Sequence, residues 1–512
     1  MASLLSRIFG GRPVVGGAYR TSELAAAMDA SRGRRIASRR FDGAVIDRLT
    51  ASWVASAQSI DQELRTDLDK LRQRSRDLFK NNEYAKKFGR LVRNNVVGAE
   101  GFALQVRALN ASGQPDTADS NAVESAFWRW SRPQHCDAAR RQSFADLCRS
   151  LLLTTARDGE FLVRKVRGAG EFGLRLQVLD VNRLDTRFNR EATQGQNAIV
   201  MGVEIDVYRA PVAYHILTRA DALSRERERV PADEIVHGFM PIEDEQTRGV
   251  PWLHAAMRRL NDLNGYREAA VIAARVGAAK MGIWETPDGG PPPGVDGGPE
   301  DPSGGDYVTD ASPGHFDFAP PGYKLHTFDP TYPHDQFDAF CKAALRGIAS
   351  AAGVAYPSLG NDLENVNFSS IRAGVIEERD EWMVIQNWFI TTFLVPVYEE
   401  WLELALMRGA IRLPQGSVLP ASKLSKYQDH QWQGRRWQWV DPLKDIQASV
   451  IAIQNRLASP QQIAAQTGRD LEEVIDDIAR FNSLLESKNV SAPPSTAAPL
   501  SGKPNADASD DE

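Results

Sequence analysis

Cysteine is scarce in this sequence. Cys136, Cys148 and Cys341 are the three among 512 residues, and no two of them form a CxxC pair. That excludes a disulfide framework and a thiolate zinc site, and a reducing, cytoplasmic origin fits. Long apolar runs are missing too. The most apolar stretches are residues 269–284, broken by Arg275 and Lys280, and residues 388–398. The second is far shorter than the ~20 residues a membrane span needs, so no membrane insertion is expected. Residues 1–10 carry Arg7 and lack the apolar core of a secretory signal. Positive charge is not in excess: the formal net charge is −6, so no global field draws the chain onto nucleic acid. Catalytic signatures are absent as well. There is no Walker A lysine motif, since Gly502-Lys503 runs into Pro504, and there is no HExxH or GxSxG. No cofactor, metal or catalytic residue is expected.

What remains is an ordinary globular composition, 42% hydrophobic and 25% charged, in a chain long enough for two to four domains. The first 44 residues are rich in Gly, Ser and Arg, with Arg32, Arg34, Arg35, Arg39 and Arg40 clustered. They read as a disordered basic arm, or as an arm that meets nucleic acid or an acidic partner. From about 44 to 95 apolar residues recur at helical spacing, including Leu64, Leu68, Leu71, Leu78, Phe88, Leu91 and Val92. A further helical stretch holds Val123, Phe127 and Trp130, and Ser143 is placed to cap a helix over 144–155. Between 160 and 236 strands dominate: 161–166, 174–179, 200–208 and 212–217 alternate or are β-branched. Helices then strands then helices give an α+β chain, not a βαβ series.

Two long helical patterns follow. One is expected to begin at Pro251 with Leu253, Met257, Leu260, Leu263, Tyr266 and Ala270 as its stripe. The other is expected to begin at Pro333 with Phe337, Phe340, Cys341, Ala344 and Ile348, and Gly353 as its C-terminal cap. Between them, residues 277–329 hold two short strand-like pieces, 280–284 and 323–328, around a Pro/Gly/Asp-rich excursion with little to bury. A loop at 354–367 leads to a long helix over 368–408, which Pro396 should kink. Trp432, Trp437 and Trp439 flank Arg435 and Arg436, two helices follow at about 460–468 and 470–485, and the last two dozen residues have the composition of a disordered tail.

Several local patterns look like chemistry. Residues 168–173 spell GxGxxG, but a strand follows instead of a helix, so they read as a hairpin turn. Asp158 and Glu160 could pair as carboxylates; a turn entering a strand explains them better. His334-Asp335 reads as a helix start, and Asp470, Glu472, Glu473 and Asp476 as a solvated face. The tryptophan–arginine cluster can stack bases, but we read it as packing between segments.

The order of these segments resembles the lambda-type family of phage portal proteins over residues 45–485. The stretches that carry the resemblance are RQRSRDLFKNNEYAKKFGRLVRNNVVG at 72–98, QTRGVPW at 246–252, NVNFSS at 365–370 and WVDPLK at 439–444. The resemblance implies a portal fold with a mixed α/β wing at 45–250 and 368–440, stem helices at 251–276 and 333–353, and a small β-containing clip at 277–332. It further implies a tunnel loop at 354–367, a helical crown at 441–487 and a free tail at 488–512. It implies a twelve-subunit ring at one capsid vertex of the virion, assembled in the host cytoplasm, with duplex DNA passing through for packaging and ejection. The implied partners are the large terminase subunit, the major capsid or scaffold protein and a head-tail connector. Asn361, Asp362, Glu364, Asn365 and Asn367 would face DNA, and Asp288, Asp296, Glu300, Asp301 and Asp306 in the clip would meet terminase or adaptor. A loop with acids and no Lys or Arg would line DNA without gripping it, because each cation on a phosphate releases counterions and tightens binding. The alternatives are a portal-like protein of a gene transfer agent or defective prophage, and a nucleic-acid-processing enzyme resting only on the local patterns above.

Overall fold

The computed structural model describes residues 58–218, 226–278, 282–285, 324–327, 336–364, 368–437, 442–466 and 471–488. The basic arm, Trp439, the tail, Asn365, Asn367 and the clip acids Asp288, Asp296, Glu300, Asp301 and Asp306 lie outside them. The helices and strands all belong to one compact unit, Ile60–Glu512.

In chain order the elements are α1 (Ile60–Asn81), α2 (Glu83–Val96), β1 (Ala103–Val106), α3 (Thr117–Trp130), α4 (Phe144–Asp158), β2 (Glu160–Arg167) and β3 (Leu174–Leu179). Then come β4 (Ala198–Val200), β5 (Val203–Ile205), β6 (Pro211–Leu217), β7 (Arg227–Pro231), β8 (Ile235–Phe239), α5 (Met257–Ala278), β9 (Gly282–Glu285) and β10 (Lys324–Thr327). The chain continues through α6 (Phe337–Ala351), α7 (Tyr356–Gly360), α8 (Phe368–Phe389), α9 (Val395–Met407), β11 (His430–Gln433), α10 (Pro442–Gln454), α11 (Pro460–Gln466) and α12 (Leu471–Ser487). The sheets run β3-β2-β8, β4-β5-β6-β7, β9-β10 and β1-β11, all antiparallel, so the α+β expectation holds.

Ser143 caps α4 as its sequence position suggested: its Oγ accepts from the Asp146 amide at 3.2 Å, a contact worth about 1 kcal/mol. The glycines of 168–173 form the β2–β3 turn, with Gly168, Gly170 and Gly173 at positive φ. The helical pattern across 44–95 is, in its described part, two helices, because the Asn82 side chain accepts from the Tyr84 and Ala85 amides and restarts the helix. Three expectations on boundaries need correction. The strand expected at 200–208 is a hairpin. Met201 and Gly202, both at positive φ, make the two-residue turn between β4 and β5. The helix expected from Pro251 starts at Met257. The Trp252 amide is taken by the Ala156 carbonyl, and residues 251–256 close i→i+3 turns instead. Pro396 does disturb the long helix, but the disturbance is a π-helical turn at Ile390–Leu394, just before it. The missing proline amide and the clash with the carbonyl four residues back fall on that turn.

Phe127 is the hub of the main core. Its ring meets Trp130, Phe144, Tyr398, Trp401 and Trp432 at centroid distances of 5.0–6.1 Å, mostly edge-on. Such pairs add about 0.5–1.5 kcal/mol each beyond burial. Trp432 on β11 is buried there, and Trp437 donates to Asn95 Oδ1 at 3.2 Å under Arg379. Both tryptophans therefore pack. A second core lies between α1 and the four-stranded sheet.

Asp158 and Glu160 are fully buried, and both are taken up by ion pairs. Glu160 accepts from Arg72 Nη2 (2.6 Å), Arg248 Nη2 (2.6 Å), the Gly249 amide (2.7 Å) and His237 Nε2 (3.1 Å). Burial alone would raise its pKa; the Arg248 and Arg72 guanidiniums outweigh that and hold it well below the ordinary range. Arg248 Nη1 also donates to the Met201 carbonyl at 2.6 Å, and Arg76 grips Asp158 through two 2.8 Å bonds. One carboxylate thus ties α1, β2, β8 and the 246–249 segment together. The corner is tight: a Cβ on Gly249 would sit 2.1 Å from the Gly159 carbonyl oxygen, and one on Gly159 2.4 Å from the Val250 carbonyl carbon.

Candidate functional site

The loop at 354–367 is set by the helix before it. Gly353, at φ +65, stops α6: its amide bonds the Ser350 carbonyl at 3.3 Å and the Val354 amide reaches the Ala349 carbonyl at 3.1 Å. This is the Schellman arrangement that glycine permits. Val354 and Leu359 then bury themselves, and Pro357 sits in the first turn of the short helix α7, where its missing amide costs nothing. Asn361, at φ +53, ends α7.

The buried Glu378 of α8 fastens the loop from below. It accepts from Ser358 Oγ (2.6 Å), from the Ala355 amide (3.4 Å) and from Trp382 Nε1 (3.2 Å). From the side, Tyr356 Oη donates to Asp362 at 2.7 Å, and Asp362 in turn accepts from the Glu364 amide at 3.0 Å. These two bonds keep the Asp362 carboxyl below its ordinary range, while burial and Asp362 push the Tyr356 hydroxyl up to about 12. Lys342 of α6 lies 2.8 Å from Asp338, 3.1 Å from Glu364 and 3.7 Å from Asp362. Lys87 of α2 donates to Asn361 Oδ1 at 2.8 Å.

Asn361, Asp362 and Glu364 are therefore brought together at one exposed tip, with Leu363 exposed between the acids. The tip has no cation of its own, as the sequence suggested, but two reach it from other helices. Lys342 is legible in the sequence as an i,i+4 partner of Asp338, and Glu378 as an i,i+4 neighbour of Trp382; nothing in their spacing ties either to the loop. Lys87 lies 274 residues from Asn361, and nothing local in the sequence signals that bond.

The α5–α6 pair is buried at only one end. Leu253, Met257, Leu260 and Leu263 of the first stripe and Leu345, Ile348 and Ala349 of α6 are buried. Farther along, Tyr266 stacks on Phe337 at 5.6 Å and meets Phe340 at 4.9 Å, yet Tyr266, Val271, Ile272 and Phe340 remain 40–54% exposed. Large apolar side chains left this exposed on two adjacent helices ask for a partner. Among the described residues no group of His, Cys, Asp or Glu could hold a metal ion, and no helix is long and apolar enough to cross a membrane.

Residues 47–386 match the model of the family described as phage portal protein, lambda family. This chain belongs to that family. The "Probable portal protein" of Halomonas phage phiHAP-1 is 35% identical over 460 residues, 87% of this chain and 88% of that protein. Portal protein B of Escherichia phage lambda is 22% identical over 472 residues, 83% of this chain and 85% of that protein. The portal protein of Escherichia phage N15 is 22% identical, covering 87% and 90%. Among solved structures, a chain from the neck of a native GTA particle computed with C12 symmetry aligns with a TM-score of 0.42 at 16% identity, covering 79% of this chain and 93% of that one.

Proposed function

We propose that the chain is the subunit of a portal ring, through which double-stranded DNA is packaged into a capsid and ejected from it. The role is structural: the ring is a channel and a docking platform, and the motor is a separate terminase. The observation that carries the reading is the α5–α6 pair, whose distal apolar side chains Tyr266, Val271, Ile272 and Phe340 are exposed in the single chain, in a sequence that belongs to the portal family. In this assignment α5 and α6 form the stem and β9–β10 the base of the clip. The acids Asp288, Asp296, Glu300, Asp301 and Asp306 offer the docking charge for terminase and head-tail connector. The α7 loop lines the DNA through Asn361, Asp362, Glu364, Asn365 and Asn367. Helices α10 to α12 form the crown, and the α+β body is the wing against the capsid or scaffold protein.

Purified full-length chain should give rings with a central hole in negative-stain images and a native mass near twelve subunits. Monomer alone, at micromolar concentration and across salt, would sink the reading. A second result is expected from the composition of residues 289–305, which offer almost no apolar side chains. Replacing them with a short linker should leave a soluble ring of unchanged helical content and reduce capture of terminase. Loss of soluble protein would show that the segment belongs to a core.

A further inference from the structure

We propose that the outer face of α2 is a binding ridge for the phosphate backbone of duplex DNA, built by Lys86, Arg90 and Arg93. The inference rests on the portal reading and adds a DNA-binding surface distinct from the α7 loop. Helix α2 buries Ala85, Phe88, Gly89, Val92 and Val96 against the core. Lys86 and Arg90, both exposed, and the half-buried Arg93, spaced four and three apart, share the opposite face and span about 10 Å of helix.

None of the three side chains has an ion pair among the described residues, whereas the one acid on the same face, Glu83, is held by Arg267. The fold gives no reason for the row. Arg93 in the last turn suits the helix dipole, but Lys86 in the first turn opposes it. Cations one turn apart also repel each other by a few tenths of a kcal/mol. Such a row gains free energy only when polyanionic charge lies along it. The neighbouring position, Lys87, is bonded to Asn361, so the ridge begins beside the loop and leads away from it. A duplex at the loop would meet acids that are already neutralised, then a row of free cations within one helix length.

The test uses full-length rings and a fluorescein-labelled duplex of about 30 base pairs, titrated from 50 to 200 mM salt. The variant K86Q/R90Q/R93Q should still form rings with unchanged thermal unfolding. Its affinity should fall at least tenfold at the lowest salt, and the slope of log K against log salt should become shallower by about 0.9 for each phosphate no longer neutralised. The single change R90Q should give a fraction of that loss, and K86R/R90K/R93K should restore the slope. Rings whose affinity and slope are unchanged in the triple variant overturn the ridge. So does a triple variant that keeps duplex binding but loses a peptide of residues 500–512, since Asp507, Asp510, Asp511 and Glu512 would then be its occupant. A chain that forms no rings at all would instead sink the portal reading.

Discussion

Replacing Glu160 with Ala will destabilise the subunit by about 3–5 kcal/mol, the usual consequence of stranding buried charge. Two guanidiniums, Arg72 and Arg248, are each no more than 2% exposed and both point at this carboxylate. Without it they keep, among the described residues, no acidic partner at hydrogen-bonding distance, the Gly249 amide loses its acceptor, and α1 loses its ion pair to β2. Glu160→Gln keeps the shape and one acceptor oxygen but no charge, so its loss should be smaller. Thermal unfolding of the two variants against the parent chain gives the ranking; equal stability of all three would mean the cluster carries no net energy. The pH dependence has a definite sign. The folded Glu160 binds a proton less readily than an ordinary glutamate near 4.5. Its contribution is complete above that value and is lost as pH falls below it toward the lower folded value. The parent chain should therefore lose stability between pH 4.5 and more acid conditions, and Glu160→Gln should lose less over that interval.

Charge reversal at the loop, D362K/E364K, should raise the affinity of the ring for duplex DNA more than tenfold at low salt and steepen its fall with salt. Each newly neutralised phosphate adds about 0.9 to the slope. The geometry enlarges the effect beyond the two new lysines, because Lys342 loses Asp362 and Glu364 and keeps only Asp338. The neutral variant D362N/E364Q should then show part of the gain through Lys342 alone. In a packaging assay the reversed loop should slow or stall DNA entry while rings assemble normally. Unaltered salt slope with normal packaging would mean that the loop does not meet the duplex.

The long apolar periodicities and the local punctuation are legible in the sequence: Ser143 as a cap, Gly353 as a stop, the glycines of 168–173 as a turn. Each depends on residues within a few positions. The displaced boundaries come from competition across the chain. Trp252 gives its amide to Ala156, so α5 starts late, and only a tertiary bond could reveal that. Met201 at φ +46 is a turn residue that β-propensity argues against. Asp158-Gly-Glu160 is legible as a turn, but the groups that hold Glu160, Arg72 and the Gly249 amide, lie 88 and 89 residues away on either side. At the loop the acids are legible and their counterions are not, for the same reason.

The corner where Gly159 and Gly249 cross also bears on how this gene can vary. Any missense change in either codon adds a Cβ, and at 2.1–2.4 Å from a facing backbone atom no rotamer can evade the clash. Lineages can therefore diverge widely on exposed surfaces while these two codons stay closed to every replacement. Because they adjoin the Glu160 cluster, a lesion here spreads to three elements at once. Random mutants recovered for loss of soluble subunit would accordingly collect at this corner.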